Sequence, residues 1–424
     1  MDAMGAMGLG IVLSLQDNVS AGLEKIQQQL ASFSGASKEM LANFDAGAKE
    51  MLCGIASLVG GMKIFQGFNN MFAPSLNTAM DFEQAMARVG AVSGSTGEIF
   101  DALTNQAKEL GATTQFSASQ VASAQESLAR AGFQANGTLA ENNEIIAAMP
   151  GLLSMAAAEG MELGQAADIA SSAIRGFGME ASTAGKVADV LAKTSAASNT
   201  SIALLGESLK YVAPYAKAVG VDIEQTNAML GVMANAGIKG TSAGNALKAA
   251  FSRLSEEPKR TAQALEQVGV KAKTSTGGLR KLPDIMKDLA EKTKDMGEAD
   301  RLGILNKIFG SVAGGGMLAI MDGVANGSLP ELETALYGCS GAAKEMADRM
   351  NATAKGAMLQ LDSASEGLRI AIGNHLLPIF TWATLKLAAF KGWLTKLIEA
   401  HPILTKAVIG LTGAITGLLT VTLT

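Results

Sequence analysis

From residue 78 onward the chain is punctuated by helix starts and helix stops, and that punctuation leaves little room for anything but helices. Asp81 with Gln84, Ser95 with Glu98, Ser117 with Gln120 and Asp222 with Gln225 each put a side-chain acceptor at a helix start and a Glu or Gln three residues on. Such pairs satisfy amides that the first turn of a helix leaves without partners. Helix-like runs then end at Gly111, Gly132, Gly176, Gly220 and Gly237, where glycine can take the left-handed conformation that closes a helix. Strand-like runs are few after residue 20. Residues 9–15 alternate loosely, a pattern that predicts one short strand, and Leu23, Ile26, Leu30 and Phe33 follow the spacing of an amphipathic helix. Of 8 prolines, Pro74, Pro150, Pro258, Pro283, Pro330 and Pro402 fall where helices should break. Pro214 and Pro378 lie inside helix-like stretches and should kink or interrupt them. The fold class is all-α: Ala/Gly-rich helical hairpins in an elongated chain, with a C-terminal apolar helix.

The residues available for packing are small. Hydrophobic residues make up 48% of 424 and aromatics only 4%, with 48 glycines and 22 methionines. Ala, Gly and Met let helices approach closely and fill irregular gaps. A weak internal repeat runs through the body. Gln120 and Gln225 each precede, by the same interval, a glycine and an apolar residue, Gly132-Phe133 and Gly237-Ile238. Each helix follows a similar helix end, Ala107 to Gly111 and Ala216 to Gly220. The pattern predicts two related hairpins, although Ala-rich helices also resemble one another by chance.

Four regions follow: 1–77, with the strand and amphipathic helices; 78–325, the body of hairpins; 326–402, a long helical region; and 403–424, an apolar segment. Within the body, Thr274 to Gly278 reads as a loop and Lys281 to Lys294 as a solvated helix. Gly314, Gly315 and Gly316 suggest a hinge near 310–330. The region Leu359 to Ile398 is helical and sparsely charged, interrupted near Pro378. Lys386, Lys391 and Lys396 fall on different sides of its helical wheel, so they make no basic stripe, and Trp382 and Trp393 suit self-association better than a lipid surface.

Ala407 to Thr424 carries no charge over 18 residues, the minimum length for a membrane span. Gly413 and Gly417 form a GxxxG pair near Gly410, flanked by Leu411, Leu418 and Leu419. These six residues are candidates for membrane insertion or for close helix packing, and both readings fit. The run ends without a polar cap, as a truncated longer segment would. No secretory leader is expected at the N-terminus, because Asp2 stands where a basic region belongs and the first basic residue is Lys25.

Sites for chemistry are missing. The net charge is −5 with no basic block, which argues against sequence-specific nucleic-acid binding. Cys53 and Cys339 are far apart and read as two buried thiols, without disulfide or zinc spacing. His375 and His401 have no partner at a catalytic spacing. The run from Gly310 to Gly315 lacks the Lys and Ser/Thr of a phosphate loop, and Gly176 to Ala181 matches a dinucleotide pattern but follows a helix instead of a strand. Carboxylates are scattered and expected on solvated faces. No catalytic residues, cofactors or metals are expected.

Several segments in combination resemble phage tail tape measure proteins, the phage-related minor tail protein family. They are Gly111 to Gln120 leading to Leu128 to Phe133, Phe177 to Ser182 with Val187 to Lys193, and Leu209 to Pro214. The most distinctive is Ala236 to Asn245 running on to Phe251 to Leu254. Leu282 to Ile285, Ile308 to Gly310, Leu368 to Gly373 with Leu376 to Ile379, and Leu9 to Phe33 extend the likeness over most of the chain. The resemblance implies a scaffold, made in the host cytoplasm, that occupies the virion tail lumen as a homo-oligomer (trimer or hexamer) while tail-tube protein polymerises around it. Tail assembly chaperones, tail-tip or baseplate proteins and, during DNA ejection, the host membrane are the implied partners. At about 1.5 Å per helical residue, 424 residues would span roughly 640 Å. The competing reading is a membrane-active, pore-forming or toxin-like helical protein.

Overall fold

The computed structural model describes residues 73–138 and 143–400. The expected short strand, Cys53, His401 and the apolar segment 403–424 lie outside the described residues. Those described are α-helical, with one 3-10 turn, Ala181–Thr183, and two isolated bridges, Ala135 to Asn143 and Lys273 to Leu279. In chain order the helices are α1 (73–93), α2 (Gly97–Thr113), α3 (Ala118–Arg130), α4 (Glu144–Glu159), α5 (Leu163–Phe177), α6 (Ala184–Ala197), α7 (Ile202–Ala218) and α8 (Ile223–Asn235). They continue with α9 (Gly240–Glu256), α10 (Lys259–Val268), α11 (Leu282–Thr293), α12 (Glu298–Phe309), α13 (Ser311–Ala325), α14 (Ser328–Tyr337), α15 (Ala342–Asn351) and α16 (Ala354–Ala400).

Thr78–Asn374 forms one compact unit; residues up to Asn77 and from His375 onward form the other. In the compact unit α7 packs along both α5 and α9, α4 lies against α6 and α15, and α8 against α6 and α14. The glycine-rich α13 is buried against α9, α11 and α12. The expected hinge takes a different form. Gly310 and Gly327, both at positive φ, bound α13, while Gly314, Gly315 and Gly316 lie inside it. A Cβ on Gly316 would meet Met233 Cε at 2.5 Å and Ala246 Cβ at 3.3 Å, so α13 turns this glycine toward α8 and α9. The helix α11 is likewise less solvated than expected: Leu282, Ile285, Met286 and Leu289 form a buried face. Among the described residues no single helix is long and apolar enough to cross a membrane. The bent pair α12 and α13 reaches the threshold on length and composition, at an angle of 119°.

The punctuation holds in part. Ser117 forms a full capping box with Gln120, and Asp222 accepts from the Gln225 amide at 2.9 Å. Gly132 and Gly237 are left-handed, and the following residues, Phe133 and Ile238, donate back to Leu128 and Met233, closing α3 and α8 in the same way. Asp81, by contrast, lies within α1, and Ser95 bonds to Ser93 while Thr96 begins α2. Gly111 and Gly176 lie inside α2 and α5. A Cβ on Gly111 would stand 2.5 Å from the Ala118 amide nitrogen, and one on Gly176 would stand 2.7 Å from Ala213 Cβ. These two glycines permit close crossings, and α5 stops two residues later at Gly178.

Pro150, Pro214 and Pro378 do not interrupt their helices. A proline inside a helix leaves the carbonyl four residues earlier without its donor. For Pro150 that carbonyl is Ile146, and Gln106 Nε2 donates to it at 3.0 Å. The two hairpins agree in helix length: α2 and α7 are both 17 residues, α3 and α8 both 13. Their packing differs, since α2 lies chiefly against α3 whereas α7 lies chiefly against α9 and α5.

Candidate interaction surface

The six residues expected to insert into a membrane or to pack closely, Gly410, Leu411, Gly413, Gly417, Leu418 and Leu419, all lie outside the described residues. The described surface with an unusual character is α16. Its N-terminal part is fastened to the body on one side. Ser363 Oγ donates to the Gly111 carbonyl at 2.8 Å, and Glu366 Oε1 accepts from the Ser119 amide at 3.0 Å. That carboxylate sits at the start of α3, where the helix dipole favours negative charge. Ile370 is buried on the same side. Beside these anchors lies an open groove of about 420 Å³, lined among others by Phe116, Met161, Met350, Leu359 and Asp362.

The other side of α16 faces outward and is apolar. Leu361 is 66% exposed and Leu368 63%, and Met358 and Ile372 are exposed with them. Further along, Ile379, Trp382, Leu385 and Trp393 are also exposed. The signal for this face is present in sequence as the 3- and 4-residue spacing of 358, 361, 365, 368 and 372. Pro378 hides it, because a proline there suggests an interruption that the helix does not make.

Buried ionic groups in the body hold helices together. Glu126 is buried between Arg88 and Arg130, at 3.2 and 2.5 Å. Glu224 is buried and paired with Lys186 at 2.6 Å. The expectation that carboxylates lie on solvated faces is therefore corrected: these two are covered because cations from other turns or helices reach them. Asp189 accepts from the amides of Gly341 and Ala343, at 2.8 and 2.9 Å, and so caps α15 from α6. Glu159 accepts from the Ile202 amide at 2.6 Å at the start of α7, and burial pushes its carboxyl above the usual range. Tyr337 donates to Asp222 at 2.7 Å; burial and this bond raise its hydroxyl pKa. Cys339 is buried, which pushes its thiol up to about 11. Among the described residues no three His, Cys, Asp or Glu side chains converge to hold a metal ion, and His375 is exposed on α16. The Gly176 to Ala181 pattern is the end of α5 and its left-handed stop, followed by a 3-10 turn, with no preceding strand.

The described residues thus form an all-helical body, with a long helix, α16, that carries exposed apolar side chains. The family model for phage-related minor tail protein matches residues 104–310. The chain is 35% identical over 350 residues to the tape measure protein of Pneumococcus phage Dp-1, covering 82% of this chain and 29% of that one. It is 28% identical over 347 residues to a probable tape measure protein of Escherichia phage P2, covering 79% of this chain and 42% of that one. The chain thus spans less than half the length of either relative. No solved structure matches it. The matches make the chain a member of the phage-related minor tail protein family, of the tape measure type found in phage tails.

Proposed function

We propose that the chain is a scaffold for tail-tube assembly whose helical length sets the length of the tail, acting structurally and without catalysis. The observation that carries this reading is likeness to a tape measure protein along 82% of the chain, whose described residues are helical. In this reading several copies, three or six, lie together in the tail lumen. Tail-tube protein assembles around them, chaperones hold them beforehand, and tail-tip or baseplate proteins anchor one end. The apolar segment, with Gly410, Leu411, Gly413, Gly417, Leu418 and Leu419, packs against other copies in the tube and enters the host membrane when DNA is ejected. An uncharged 18-residue run supports the membrane step by length and composition. The test is disruption of the gene in its phage. Heads without tails of defined length, restored by the gene in trans, are expected; tails of normal length without it would overturn the proposal.

A further inference from the structure

We infer that the compact unit Thr78–Asn374 stays folded in the assembled tail, as a module of fixed size that does not count toward tail length. This rests on the proposed length-setting role and states which residues do not carry it. Opened into one continuous helix, a unit of this length would span roughly 450 Å at about 1.5 Å per residue. Folded, a unit of its size has a radius of gyration of about 19 Å. The two states make very different contributions to a ruler, and three observations favour the folded one.

The first is α8. Every residue from Ile223 to Ala234 is buried, because α6, α7, α9, α13 and α14 all pack against this helix. A helix of an elongated bundle buries one stripe and gives the rest to water. Drawn out into such a bundle, α8 would expose apolar side chains all round. The start of α8 is also tied to two neighbours at once. Glu224 pairs with Lys186 of α6, Gln225 donates to Glu333 of α14, and Asp222 accepts from Tyr337 at the end of α14.

The second is glycine placed inside helices, where it lowers stability relative to alanine. Gly206 lies within α7 and Gly244 within α9. A Cβ on Gly206 would meet Ile169 of α5 at 2.7 Å, and one on Gly244 would overlap the Ser208 carbonyl of α7. The loss is offset only while these helices lie folded against one another. The joins agree with this. α4 and α10 are followed by left-handed Gly160 and Gly269, and the next residues, Met161 and Val270, donate back to Ala156 and Leu265. Neither end continues into a straight rod.

The third is what the family holds in common. The family match, residues 104–310, falls wholly inside the compact unit. The shared stretch is 350 residues against one relative and 347 against the other, yet it makes up 29% of the first and 42% of the second. The relatives therefore differ in overall length outside a part of nearly constant size. A part of constant size cannot distinguish a longer ruler from a shorter one.

The experiment is electron microscopy of tails from phage carrying one of two changes. A Gly/Ser segment of about 28 residues, inserted between Thr276 and Gly277 in an exposed turn, adds roughly 30 Å to a unit that is drawn out. Removal of residues 376–396, in the part of α16 beyond the unit, takes out roughly 30 Å of helix. Circular dichroism checks that the purified insertion variant melts as the wild type does. The insertion should leave tail length unchanged and the removal should shorten tails. Tails lengthened by the insertion overturn the inference and keep the length-setting role. Tails unaffected by either change overturn that role, and the inference with it. Wild-type tails supply a second readout that needs no variant to fold. Asp189 of α6 accepts from the Gly341 and Ala343 amides, so Lys193 and Lys344 lie near one contact. Drawn out, they stand about 150 residues and roughly 225 Å apart. An amine-reactive cross-linker should join Lys193 to Lys344 in purified tails. Lys193 joined only to Lys193 of other copies overturns the inference.

Discussion

Gly151 lies in the middle of α4, facing the start of α6. A Cβ placed there would stand 2.5 Å from both the Ala184 carbonyl carbon and the Gly185 nitrogen. Ordinary contact begins near 3.4 Å, so Gly151→Ala requires the two helices to separate by about 0.9 Å. The obstacle is backbone on the α6 side, which no rotamer change relieves. Buried neighbours must move with it: Ala148, Leu152 and Met155 on α4, and Val187, Ala188 and Leu191 on α6. Overpacking of this kind costs about 1–3 kcal/mol, and backbone against backbone belongs at the upper end. Replacing a helical glycine by alanine returns about 0.8–1 kcal/mol of helix propensity. The net prediction is a loss of about 2 kcal/mol. With an m-value of about 3 kcal/mol/M the urea midpoint falls by roughly 0.7 M. The companion variant is Gly303→Ala in α12, where an added Cβ meets nothing within 4 Å. It should raise stability by up to about 1 kcal/mol. Equal or greater stability for Gly151→Ala, or similar losses in both variants, would refute the reasoning from close approach.

Two further outcomes concern remote carboxylate caps. Asp189→Ala removes the acceptor for the Gly341 and Ala343 amides and should cost about 2 kcal/mol, seen as faster hydrogen exchange at the start of α15 than in Asp189→Asn. Glu159 has a raised folded-state pKa, so the stability it contributes is fully present below the unfolded value of 4.5 and is lost as pH rises through the folded one. Glu159→Gln, which keeps an acceptor for the Ile202 amide, should therefore be more stable than wild type near neutral pH, at about pH 7. The difference should vanish near about pH 4; a difference that grows toward acid would contradict the sign.

The helical class was readable from caps and stops because these are local: Ser117 with Gln120, and Gly132 with Phe133, depend only on nearby backbone. Glycines with tertiary roles misled the same reading. Gly111 and Gly176 look like stops in sequence, yet each is shaped by a partner helix about which local spacing says nothing. Pro150 is similar, since its tolerance depends on Gln106, 44 positions earlier in the chain. Burial of Glu126 and Glu224 was invisible for the same reason: their cations arrive through folding. The outward face of α16 was legible in principle, because a period of about 3.5 residues is a property of sequence alone. The tape measure reading came from motif resemblance, which the helical body accommodates and does not itself specify.

The central claim is that helical length along this chain is converted into tail length. Its most direct test is tail measurement by electron microscopy on phage carrying in-frame deletions of two and four whole heptads between residues 358 and 396. At about 1.5 Å per residue, removal of about 14 or 28 residues should shorten tails by roughly 21 and 42 Å. Tails that assemble in normal numbers with unchanged length in both deletions would contradict the account.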